Sequence, residues 1–173
     1  MKSSIRMLET ALEMEEKGKE FYEKAISNCT NALGKDIFTT LMKDEIVHLD
    51  RIKSIYESLK NDNTWSMNWQ SYKEDHGDLK LFFKNLAVKH GGNITADTKD
   101  LEALDIGIDF EAKSVKYYKE ALSKSNDPLE KAFLEKMVDE ENLHHFVLSD
   151  LKFYLSDPTG WFTEQEHHGL DGV

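Results

Sequence analysis

Four glutamates and two histidines stand out by type and spacing: Glu15, Glu45, His48, Glu111, Glu141 and His144. Glu45 and His48 are three residues apart, as are Glu141 and His144. On a helix that spacing puts both side chains on one face, within reach of one ion. The set is also repeated. Shifted by 96 residues, the chain matches itself: Glu15 falls on Glu111, Lys17 on Lys113, Tyr22 on Tyr118, Ala25 on Ala121, Ser27 on Ser123, Glu45 on Glu141 and His48 on His144. Two divalent cations would balance four carboxylates, with two neutral imidazoles as further ligands. Carboxylate and imidazole donors without thiolates suit iron or manganese better than a structural zinc.

The elements that must carry these residues are helices. Apolar residues recur at spacings of three and four over roughly 4–28, 35–60, 98–124 and 128–156, the seams a bundle turns inward. The six residues interrupt those seams near mid-helix, as in Leu41-x-x-x-Glu45-x-x-His48-x-x-x-Ile52 and Met137-x-x-x-Glu141-x-x-His144-x-x-x-Leu148. Lys19 is the one other charged residue on a seam and is expected at its edge. An unpaired carboxylate in such a place takes up a proton or destabilises the fold by several kcal/mol. One Glu-x-x-His on an acidic helix is usually surface charge. Two copies, matched to two more glutamates and all on apolar seams, are not. The competing reading is a metal-free, proton-sharing polar network, in which every member needs a partner.

The prolines and polar breaks set the topology. Asp127-Pro128-Leu129-Glu130 reads as an N-cap, an N1 proline and an N3 glutamate, and Ser156-Asp157-Pro158 as a stop. Asn61-Asp62-Asn63-Thr64 and Gly91-Gly92-Asn93 bracket a connection over 61–97, in which Leu79, Phe82, Phe83, Leu86 and Ala87 predict a short amphipathic helix. Two hairpins, 4–60 and 98–156, joined by that crossover make an all-α four-helix bundle in a single domain. The tail, 157–173, is expected to pack back onto it without a distinct fifth helix, with His167 and His168 outside the site. Trp65, Trp69 and Trp161 read as anchors of the crossover and tail. Tyr22 and Tyr118 are either core aromatics or hydrogen-bond donors to a ligand carboxylate. Glu140 and His145 flank the ligand pair about 100° round the helix, His145 as a candidate partner for a ligand.

Composition narrows the function classes. Lys plus Arg is 22, Asp plus Glu is 33, and the net charge is −11, which disfavours nucleic acid and anionic membrane surfaces. One cysteine, Cys29, excludes a disulfide framework or a four-cysteine metal knot. The N-terminus turns acidic before any apolar stretch develops, which predicts a cytoplasmic protein without a signal peptide or membrane span.

Particular phrases resemble the rubrerythrin branch of the ferritin-like superfamily: ALEMEEKGKEFY at 11–22, DEIVH at 44–48, FEAKS at 110–114 through Tyr118, and EENLH at 140–144, with a looser likeness in the tail. The resemblance implies a ferritin-like bundle with a non-haem di-iron centre that reacts with peroxide or dioxygen in oxidative-stress defence. Its ligands would be Glu15, Glu45, His48, Glu111, Glu141 and His144, with Glu45 and Glu141 bridging two iron ions and manganese or zinc as substitutes. It also implies a homodimer or higher homo-oligomer. Two departures matter. A single cysteine leaves no rubredoxin-like module, so a separate rubredoxin-like protein or reductase would return electrons. Where rubrerythrins proper carry a further ligand glutamate, three residues beyond Glu111, this chain has Ser114. The remaining six residues resemble equally a ferroxidase centre for iron storage or delivery. A metal-free helical interaction module is the alternative from another class.

Overall fold

The computed structural model describes residues 2–92 and 96–170, the last four by backbone alone. Four long helices, α1 (Lys2–Asn28), α2 (Ala32–Asn61), α4 (Thr98–Lys124) and α5 (Pro128–Ser156), form the bundle; α3 (Leu79–His90) lies in the crossover and α6 (Pro158–Leu170) follows α5. No strand occurs among the described residues. α1 pairs with α2, and α4 with α5, as two hairpins; α3 packs on α5 and α2, and α6 on α5. This is the all-α, ferritin-like arrangement.

Local chemistry sets the boundaries. α2 begins three residues earlier than the apolar period suggests, because the Asn31 side chain caps it by accepting from the Gly34 N–H. Asp127 caps α5 through the N–H groups of Leu129 and Glu130, with Pro128 at the first turn. α3 ends at Gly91, whose φ of 72° suits glycine. A short 3-10 turn, Asn68–Ser71, seats Trp69 against Phe133.

One expectation needs correction. Pro158 does stop α5, but it also opens a helix: proline's missing N–H costs nothing in a first turn, and the Asp157 carboxylate accepts from the Gly160 N–H at 2.9 Å. α6 is therefore a distinct helix beyond the bundle. Its Trp161 is 1% exposed, packs edge-on to Phe83 and Tyr154, and donates to Asp150 at 2.9 Å. The side chains of His167 and His168 lie outside the described residues, as do residues 171–173. Lys19 is half-buried, at the edge of the seam. It pairs with Glu16 and Glu23 on the outside of α1, and the inward place between Glu15 and Tyr22 belongs to Gly18.

The core is split. One apolar cluster gathers Phe38, Leu41, Phe83, Leu148, Tyr154 and Trp161 with their neighbours. A second gathers Leu8, Ile52, Ile55, Trp69, Phe133 and Met137. Along each long helix the buried residues pass from one cluster to the other, and the switch falls where the glutamates stand. Trp161→Ala should remove an anchor of the first cluster and destabilise the metal-free chain by about 3–5 kcal/mol, read from urea unfolding; a loss below about 1 kcal/mol would mean that α6 does not contribute to the core.

Candidate metal centre

Between the two apolar clusters lies a polar layer. Glu15, Glu45, His48, Glu111, Glu141 and His144 are all buried, none more than 2% exposed, and every long helix contributes. Donor atoms of Glu45, Glu111, Glu141 and His144 lie within 4.8 Å of one another, as do those of Glu15, His48 and Glu141. The two imidazole rings stack 5.4 Å apart.

The oxygens divide into two kinds. Glu141 reaches both histidines, with Oε1 3.4 Å from His48 Nδ1 and Oε2 3.5 Å from His144 Nδ1. Glu45 does the same at 3.9 and 3.7 Å. Glu15 approaches His48 Nδ1 at 3.1 Å, and Glu111 approaches His144 Nδ1 at 3.7 Å. Two carboxylates thus lie between the histidines and one lies at each end.

Much of this layer lacks partners. Both oxygens of Glu45 and Glu141, one oxygen of Glu111 and Nδ1 of His144 are buried without a hydrogen bond. Buried polar atoms are otherwise nearly always satisfied, and a half-satisfied network is costly. A pair of cations among these donors would satisfy them, so the residues present fit a metal site. Gly18 permits the close packing: a Cβ there would stand 2.8 Å from the Phe110 ring and 3.1 Å from Glu45 Oε2.

The surrounding bonds cross between the halves. Tyr22 on α1 donates to Glu111 on α4, and Tyr118 on α4 donates to Glu15 on α1. Both tyrosines are therefore donors to the glutamates as well as core aromatics. Burial, then the neighbouring carboxylate charge, pushes both phenols well above their usual range and keeps them protonated. His144 Nε2 lies 3.2 Å from Asp44 Oδ2, and His48 Nε2 lies 3.2 Å from Glu140 Oε2. A carboxylate only accepts, so in a neutral His144 ring Nε2 carries the hydrogen and Nδ1 turns its lone pair to the glutamates, whereas His48 hydrogen-bonds Glu15 through Nδ1 and its Nε2, though near Glu140, has no hydrogen-bond partner.

Asp44 and Glu140 thus do what the sequence reading assigned to His145, whose ring is half-buried beside the layer. A signal was available: under the 96-residue shift Asp44 falls on Glu140, one residue before each repeated glutamate. Arg51, Glu74 and His76 were missed. Arg51 binds Glu140 at 2.5 Å and Glu74 at 2.8 Å, so the cluster of His48, Glu74 and Glu140 already holds a cationic side chain. Ser114 is buried and donates to the Phe110 carbonyl at 3.3 Å.

The family model described as Rubrerythrin matches residues 6–152. The chain therefore belongs to the rubrerythrin family. No curated protein and no solved structure matches it.

Proton affinities in the metal-free layer follow from burial and charge. Burial, then the Glu15 charge, raises Glu45 well above the carboxylate range; burial with the Glu141 charge raises Glu111 to about 8. Burial opposes protonation of the histidines, but Glu141 and Glu140 around His48, and Asp44 and Glu111 around His144, outweigh it and raise both. Glu111 therefore retains at pH 7 a proton that a cation would displace, and the upward shifts of Glu45 and both histidines act in the same sense. Zinc affinity should therefore rise with pH through about 8, with proton release measurable by an indicator dye; affinity independent of pH from 6 to 9 would contradict this.

Proposed function

We propose that this member of the rubrerythrin family is a non-haem di-iron oxidoreductase that reduces peroxide or dioxygen and serves in oxidative-stress defence. The observation that carries the reading is the set of buried, unpartnered donor atoms on Glu45, Glu111, Glu141 and His144, which has no economical explanation without cations. Glu15 with His48 would hold one iron, Glu111 with His144 the other, and Glu45 and Glu141 would lie between them. When bound, two ferrous ions supply electrons and a Lewis acid.

The chain supplies position and exclusion of water. Tyr22 and Tyr118 fix the outer glutamates by donating to them. Asp44 fixes the His144 imidazole, Glu15 hydrogen-bonds His48, and Glu140 places a negative charge 3.2 Å from the outer nitrogen of His48. Apolar residues on both sides close the layer off from solvent. Reducing peroxide to two waters consumes two electrons and two protons. As the source of the electrons we propose a separate donor, a rubredoxin-like protein or a reductase. We expect the protein to work as a homodimer or higher homo-oligomer.

Ser114 supports a second reading. Its hydroxyl is spent on its own helix, so no seventh ligand stands where rubrerythrins proper have a glutamate. Six ligands also suit a ferroxidase whose substrate is iron itself.

The protein loaded anaerobically with two equivalents of ferrous iron should consume peroxide with turnover once a reductant is supplied. Glu45→Ala and His144→Ala should lose stoichiometric iron and that activity, whereas Glu20→Ala, on the exposed side of α1, should keep both. Equal activity in all three would refute the assignment. Failure of the unsubstituted protein to retain iron, manganese or zinc would support a metal-free module. Oxidation of successive iron additions by a large cage would favour the ferroxidase.

A further inference from the structure

The carboxylates that face the outer nitrogens of His48 and His144 are themselves held: Asp44 by the crossover directly, and Glu140 by Lys136 of its own helix and by Arg51 of α2, which the crossover clasps. On one side, Arg51 is 2% exposed and spreads its guanidinium over three acceptors. Nη1 binds Glu140 Oε2 at 2.5 Å, Nη2 binds Glu74 Oε1 at 2.8 Å, and Nε and Nη2 donate to the Tyr72 carbonyl at 3.0 and 2.8 Å. On the other side, His76 Nε2 meets Asp44 Oδ2 at 2.8 Å, the same oxygen that faces His144 Nε2 at 3.2 Å, while His76 Nδ1 faces the Gly77 carbonyl at 3.0 Å.

A connection that only had to span two hairpins would need length and solubility. This one puts a carbonyl, a carboxylate and an imidazole onto buried groups within five residues. The 96-residue repeat does not account for it. Asp44 falls on Glu140, but Arg51 falls on Val147, and His76 lies in the crossover between the repeated halves. The two halves supply matched orienting carboxylates, and the crossover holds them unequally: His76 meets Asp44 directly, while Tyr72 and Glu74 clasp Arg51 of α2, which in turn binds Glu140.

We propose that the crossover segment 72–76 is a strap that sets the orientation of both histidine ligands, with His76 acting through Asp44 on His144, and Arg51 acting through Glu140 on His48. His76 and Arg51 are positioning residues; neither is placed among the donors facing the metal site. The inference rests on the metal-centre reading above. It adds that a segment outside the bundle governs the affinity and ligand geometry of a site inside it. Groups that orient metal-bound histidines typically change affinity by about 10–100-fold.

The test uses the whole chain and cobalt(II) alone, whose visible absorption reports ligand geometry. The unsubstituted protein should bind two cobalt ions, and binding should slow hydrogen exchange of the backbone amides of 72–78. His76→Ala should still bind two, with one site about 10–100-fold weaker, an altered visible band, and no cobalt-dependent protection of 72–78. His76→Gln, whose amide can still donate to Asp44, should recover part of the affinity and the band. Arg51→Lys keeps the charge but loses the fork, and should weaken the other site. A merely structural role would lower the thermal midpoint of the metal-free protein and leave the band and affinities unchanged. That outcome in His76→Ala, or in His76→Gln should the alanine variant not fold, would overturn the strap. If the unsubstituted protein binds no cobalt, the metal-centre reading itself fails. If it binds two ions and the variants match it, only the strap fails.

Discussion

Four carboxylates cannot lie together in an apolar interior without compensation, and the rest of the molecule is arranged around that constraint. Each ionised glutamate removed from water costs several kcal/mol, and their mutual repulsion adds to it. Protons and histidines relieve part of the cost in the metal-free chain, as the raised affinities of Glu45 and Glu111 indicate. Cations would relieve more, because they supply charge and satisfy the orphaned lone pairs together. The layer divides the core into two apolar clusters, and each cluster shields one side of it.

The bonds around the layer make its geometry a property of the assembled bundle. Tyr22 serves Glu111 and Tyr118 serves Glu15; Asp44 faces His144 and Glu140 faces His48. Every one of these contacts joins the first hairpin to the second. Within the first hairpin Glu15 does hydrogen-bond His48, but the tyrosine that serves each end glutamate and the carboxylate beside each outer histidine nitrogen come from the other hairpin. Docking of the halves and construction of the site are therefore the same event. The extensive packing within each hairpin and the sparser contact between hairpins place this polar layer where the halves meet.

Particular residues show where reading the sequence succeeded and where it ran out. The six buried donors were legible because a polar residue on an apolar seam is conspicuous, and because the repeat showed each one twice. Gly18 was not, since a glycine carries no pattern, and Lys19 took its place in the count. Pro158 was read as a stop alone, because proline marks helix starts and ends alike and the Asp157 cap needs coordinates to be seen. Asp44 and Glu140 were legible in the repeat but easily passed over beside stronger neighbours. Arg51, Glu74 and His76 left no trace in spacing, since they meet through a connection whose path no periodicity describes.

The sequence by itself determined the helices, the two-hairpin repeat and the identity of the buried donors. These follow from local periodicity and from the cost of burying charge, both of which act on residues near in sequence or related by a simple shift. Only the tertiary structure decided which carboxylates lie between the histidines, which tyrosine serves which glutamate, and how the crossover grips Asp44 and Arg51. Those are contacts between side chains tens of residues apart. They depend on the angles at which helices cross and on the route of an irregular segment, neither of which one-dimensional spacing encodes.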